Sequence, residues 1–186
     1  MSRSLTMIAA TALSLGGAAL IAVALRARAA EPAAEHDAPA HAAPAAEPPV
    51  PAAVAAPGER ARRVHLSGLD NMTFTETTIA ARPGELVEIE LHAMSGLPPD
   101  LLKHNFVLLD PEVSVNGFIQ VAAMARDSAH VPPALRQHVV AATGLARAGE
   151  TVTTTFRAPA TPGRYPFVCS FPGHFAAGMK GVLIVE

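Results

Sequence analysis

From residue 62 onward the chain alternates apolar and polar positions in short runs, the period-two mark of half-buried β-strands. Leu86-Val87-Glu88-Ile89-Glu90-Leu91-His92 is the cleanest run, and residues 63–69, 72–74, 77–80, 104–109, 151–156, 164–169 and 181–185 read the same way. Arg82-Pro83-Gly84-Glu85, Ala148-Gly149-Glu150 and residues 158–163 separate the runs with turn chemistry. Proline presets φ there and glycine accepts a positive one. Many short strands punctuated in this way predict an all-β sandwich or barrel. Residues 115–143 break the pattern with Ala-rich stretches near 121–126 and 133–140, which predicts an insertion carrying one or two short helices.

The first third of the chain has a different character. Residues 5–25 form an apolar run of 21 residues after Arg3, close to the ~20 needed to span a bilayer and longer than an ordinary export-signal core. Ala27-Arg28-Ala29 follows with the small-x-small pattern of a cleavage site. The segment 1–30 therefore fits either a cleaved signal or a retained membrane anchor. Residues 31–58 are nearly all Ala, Pro and Glu, too poor in apolar surface to offset the entropy of ordering. We expect residues 31–60 to act as a semi-extended Pro-rich tether, leaving residues 61–186 as one globular domain. His36 and His41, within the tether, are read as incidental.

Charge narrows the function classes. Beyond residue 58 there are twelve Asp plus Glu against eleven Lys plus Arg, a near-neutral domain without the clustered basic surface of a nucleic-acid binder. The single cysteine, Cys169, cannot form an internal disulfide, so compartment is read from the N-terminus. That reading is periplasmic, or the extracytoplasmic face of the membrane.

An unpaired thiol in an oxidising compartment is a liability unless something occupies it. Its neighbourhood, Cys169-Ser170-Phe171-Pro172-Gly173-His174, continues through Phe175-Ala176-Ala177-Gly178 to Met179. Pro172, Gly173 and Gly178 bend the chain so that thiolate, imidazole and thioether can turn toward one point. His104, opening the run 104–109, supplies a second imidazole. Thiolate and thioether select soft Cu(I) while imidazole suits both copper states, so the set His104, Cys169, His174 and Met179 points to one copper ion used for electron transfer. The remaining histidines, His65, His92, His130 and His138, show no such spacing and are read as surface residues. Paired His-x-His motifs of multicopper enzymes are absent from the sequence, and His174 reads better as a co-ligand than as the base of a cysteine hydrolase, so an enzyme is not expected. Copper storage or delivery without redox traffic is the alternative.

The loop resembles the copper-ligand loop of the cupredoxins, in particular the azurin and auracyanin branch. The four residues between His174 and Met179 follow the auracyanin pattern, where azurins have three. The resemblance extends over residues 64–186, through Asp70-Asn71-Met72-Thr73-Phe74, residues 97–105 and residues 149–156. It implies an eight-stranded Greek-key sandwich with a blue (type 1) copper ion at one end. His104, Cys169 and His174 would form a trigonal set and Met179 a long axial contact. Asn105 would steady the cysteine loop. The resemblance further implies an apolar patch of Met72, Leu102, Pro172 and Phe175 around a surface-breaking His174, where redox protein partners dock on a monomeric domain. Azurins carry glycine before the first histidine, its carbonyl facing the metal; Lys103 stands there in this chain, which favours four ligands over five.

Overall fold

The computed structural model describes residues 56, 58–99 and 101–186. The apolar run 5–25 and nearly all of the expected tether lie outside the described residues. Among those described, no helix is long and apolar enough to cross a membrane.

Two sheets hold eight strands. The first orders β1 (Arg62–Leu69), β3 (Leu86–Met94) and β8 (Thr151–Arg157), with β1 parallel to β3 and β8 antiparallel to it. The second orders β2 (Thr78–Ala81), β10 (Lys180–Val185), β9 (Gly163–Val168), β5 (Val107–Leu109) and β6 (Val139–Ala142). A two-residue ladder joins β4 (Lys103–His104) to β7 (Ala146–Arg147). Alternation decides which side chains enter the space between the sheets. On β3, Val87, Ile89, Leu91 and Ala93 are buried, whereas Glu88, Glu90 and His92 face outward. Leu66, Leu108, Phe156, Phe167 and Leu183 from the other strands, with Phe106 between β4 and β5, complete that core. Tyr165 donates its hydroxyl to the Thr161 carbonyl at 2.8 Å, closing the corner into β9.

Val107, Leu108 and Leu109 are all buried, so β5 does not alternate. Its second face is covered by the insertion. Helix α1 (Val115–Ala122) is capped by Ser114, whose hydroxyl accepts from the Gly117 amide. The helix lays Phe118 and Ala122 on Val107, Leu109, Val139 and Val168 in a separate cluster. A strand covered on both faces reads as a continuous apolar run. Two short helical turns, Arg126–Ser128 and Pro133–His138, complete the insertion.

Two expectations change. Residues 139–142, assigned to the insertion, form edge strand β6 beside β5. Residues 72–74 are a turn rather than a strand, with Met72 at φ 59° and one bridge from Gly68 to Phe74. Separately, Glu59 forms a two-pronged ion pair with Arg157 at 2.9 and 2.7 Å.

Candidate metal centre

The loop after β9 explains its own spacing. Lys180 lies opposite Val168 in the β9–β10 ladder, so Cys169 and Met179 face each other where the ladder opens. The Cys169 amide donates to the Met179 carbonyl at 3.1 Å. Between them, Gly173 and Gly178, at φ 88° and 109°, bracket the single helical turn α2 (His174–Ala177). Such dihedrals are costly for residues with a Cβ. The Met179 amide returns to the His174 carbonyl at 3.0 Å, which ties the loop to itself. His104 arrives from the other side, paired with Ala146 in the β4–β7 ladder.

The result is convergence. His104 Nδ1 is 3.2 Å from His174 Nδ1, and Cys169 Sγ is 3.4 Å from that same nitrogen. Among the described residues this is the one group of three His, Cys, Asp or Glu side chains placed to hold a metal ion. Met179 is fully buried, as are His104 and Cys169. A Cβ built on Gly68 would stand 2.9 Å from Met179 Cε and 2.7 Å from the His104 ring, so the thioether end lies beside that imidazole. Gly68 escaped the sequence reading, although a glycine inside a strand is itself a sign of close approach.

The electrostatics suit a cation binder. Burial, followed by the neighbouring His104, holds His174 down to about 4. Burial also lowers His104, against the opposing pull of Asp70. Burial pushes the Cys169 thiol up to about 11. Both imidazoles are thus neutral lone-pair donors at pH 7. Soft sulfur with two imidazoles fits copper.

These shifts predict the acid and alkaline limits of the copper-free fold. For the histidines the folded value lies below the ordinary 6.5, so between the two the unfolded chain binds more protons and stability falls as pH drops from about 6.5 through about 4. Cys169 acts at the other end. Its folded value lies above the ordinary 9.0, so stability falls as pH rises from about 9 toward 11. Melting temperatures of copper-free protein should plateau between these limits; an acid limb that begins only below pH 4 would contradict the histidine assignment.

Asn105 is fully buried against the residue that follows Cys169. Its Oδ1 accepts from the Ser170 amide and its Nδ2 donates to Ser170 Oγ, both at 2.8 Å. The expected docking patch is altered. Leu102 is only 7% exposed because the turn that bonds the Leu101 amide to the Pro98 carbonyl puts Leu101 outward, 67% exposed, and Leu102 inward. Met72 and Phe175 are half-buried and Pro172 is exposed. His174, expected to break the surface, is 3% exposed, lying just beneath its exposed neighbours Pro172, Gly173, Ala176 and Ala177. His130, read as a surface residue, is buried at 5% exposure.

Comparison with known proteins agrees with this geometry. Auracyanin-B of Chloroflexus aurantiacus is 35% identical over 117 residues, covering 62% of this chain and 48% of that protein, so the chain spans about half the length of that relative. Copper-resistant cuproprotein CopI of Rubrivivax gelatinosus is 34% identical over 132 residues, 71% of this chain and 70% of that protein. A solved structure of Auracyanin B superposes with TM-score 0.58 at 32% identity, over 67% of this chain and 88% of the other, which makes the two-sheet fold a cupredoxin sandwich. The family model of copper binding proteins, plastocyanin/azurin family, matches residues 63–186. The chain belongs to the plastocyanin/azurin family of copper binding proteins, and copper is its cofactor.

Proposed function

We propose that this protein is a one-electron carrier in which His104 Nδ1, Cys169 Sγ and His174 Nδ1 would hold copper, with Met179 as a weaker fourth donor. The observation that carries the reading is burial of all four side chains, at 0 to 3% exposure, around donors that already converge. When bound, copper supplies Cu(II)/Cu(I) cycling at that point. The protein's part is to keep the donors fixed and dry, so that little rearranges when an electron arrives. Lys103 is held in the β4–β7 ladder opposite Arg147, and the site is taken as four-ligand. A reversible one-electron couple, with an intense visible band on adding Cu(II), is the test.

Donor protonation gives a second check. With both imidazoles neutral and the thiol protonated near neutral pH, filling the site should release about one proton, from Cys169. Calorimetry in buffers of different ionisation enthalpy reads that number directly. Release near zero would mean that the thiol is not a ligand.

Electrons would leave through the loop around His174, over the patch formed by Met72, Pro172 and Phe175, with Leu101 replacing the buried Leu102. A largely apolar face, with the Lys180 ammonium 5.0 Å from the Phe175 ring centroid, suits brief encounters that bury little area. Met72→Lys should slow electron exchange several-fold while leaving the visible spectrum intact. Unchanged exchange kinetics would remove this face from the model of docking.

The apolar run 5–25 and the Pro-rich stretch after it suggest a domain working on the periplasmic or extracytoplasmic side, tethered or released. Mass spectrometry of the mature protein distinguishes these, a start at Ala30 meaning release. A second reading, copper handling, draws on the likeness to Copper-resistant cuproprotein CopI. It predicts a colourless Cu(I)-only form that passes copper to an acceptor, in place of a coloured form cycling one electron.

A further inference from the structure

The insertion carries a feature that its packing on β5 does not require. Ala129 and His130 both lie in the left-handed region, at φ 54° and 61°. Each such residue costs about 1 kcal/mol or more unless glycine, so two in succession persist only where their surroundings over-determine them. Both carbonyls are turned to use. Ala129 O accepts from Asn105 Nδ2 at 2.8 Å, and His130 O accepts from Ser170 Oγ at 2.7 Å. Since Ser170 also exchanges two bonds with Asn105, a closed ring joins the insertion to the residue directly after Cys169.

The His130 side chain makes a second connection. Its Nδ1–H donates to the Ala122 carbonyl, the last residue of α1, at 2.9 Å. Its ring meets Phe171 edge-on, with centroids 5.2 Å apart, and Phe171 in turn packs on the His174 ring at 4.9 Å. His130 thus reaches the loop by two routes. One runs through its carbonyl to the Cys169 side, and the other through its ring to His174.

We propose that His130 is a positioning residue, which braces the ligand loop from α1 so that Cys169 and His174 are set before copper arrives and copper leaves slowly. The role rests on the copper reading above. Supporting partners of this kind typically change metal affinity by about 10- to 100-fold.

Two full-chain variants test it. His130→Gly accepts the positive φ without strain but loses the Ala122 bond and the Phe171 contact. His130→Asn tolerates the left-handed region and hangs Nδ2 on the same carbon as His Nδ1, so it restores the bond without the ring. In copper-free protein, the Ser170 amide should exchange faster in His130→Gly than in wild type, with His130→Asn between. In the loaded form, copper release to a chelator should accelerate about tenfold or more in His130→Gly and less in His130→Asn. The proposal is overturned if both variants match wild type in Ser170 exchange and copper release, or if Asn is no better than Gly in both. A wild-type chain that takes up Cu(II) without a thiolate band overturns the copper reading alone, because the amide arm needs no metal.

Discussion

Cys169→Ser is expected to abolish the intense visible band that Cu(II) gives with the wild-type protein, and to do so without unfolding the domain. The band requires charge transfer from a sulfur anion to the metal, and Cys169 is the only thiol in the chain. Serine has nearly the same shape, and the site already contains an acceptor for its hydroxyl, since His174 Nδ1 lies 3.4 Å from the sulfur. The buried hydroxyl is therefore not left without a partner, and copper-free stability should change by no more than about 1 kcal/mol. Copper affinity should fall by more than about 100-fold, beyond the range seen when only a supporting partner is lost. The measurement is an absorption titration with Cu(II) beside circular dichroism of the copper-free variant. A surviving band would mean that the colour arises elsewhere; loss of the fold would mean that serine cannot be accommodated, contrary to the geometry.

The candidate donors were legible in the chain because each announces itself chemically. Cys169, His174 and Met179 are uncommon side chains gathered in one Pro- and Gly-bent loop, and a thiol, an imidazole and a thioether together narrow the metal whatever their coordinates. β3 was legible for a different reason. Its two faces see different media, so Glu88, Glu90 and His92 interleave with the buried Val87, Ile89 and Leu91. β5 has no such contrast, because α1 covers its outer face, and β6 was absorbed into the helical insertion that wraps it. Residues 72–74 imitate a strand in polarity while turning back at Met72. Leu101 and Leu102 are indistinguishable by type, and only the turn beginning at Pro98 decides which of them meets water.

What remained hidden works through shape or backbone. His130 matters for a left-handed dihedral and for two carbonyl contacts, neither of which a residue name encodes. The same holds for Ser170, an ordinary polar residue in a loop until Asn105 is found to clasp it from 65 positions away. Support for a metal site is contributed by elements distant in sequence, whereas the donors here cluster. That asymmetry makes candidate ligands legible in a sequence where the scaffold that holds them is not.

Gly68→Ala probes the scaffold most directly, and its effect should be large for a single methyl group. Gly68 lies on β1 opposite Ala93 of β3, with ordinary strand dihedrals, so the backbone places no demand for glycine. Space does. The added Cβ would stand 2.7 and 2.8 Å from two atoms of the His104 ring and 2.9 Å from Met179 Cε, distances that real Cβ atoms do not tolerate. Met179 can swing its terminal methyl, but the ring is gripped between the β4–β7 ladder and His174, so the imidazole or β1 must shift. Overpacking of this kind costs about 1–3 kcal/mol. The copper-free variant should lose stability by that amount and melt at a correspondingly lower temperature. Its loaded form should show a changed visible spectrum and a shifted reduction potential if, as proposed, the displaced His104 imidazole and Met179 thioether are copper donors. Gly181→Ala serves as the control. Its Cβ would collide with Phe167 and the Thr77 carbonyl, away from the donors, so it should lower stability and leave the spectrum of whatever protein remains folded unchanged. An altered melting point with an unaltered spectrum and potential in Gly68→Ala would place the clash on β1 alone and remove Gly68 from the metal centre.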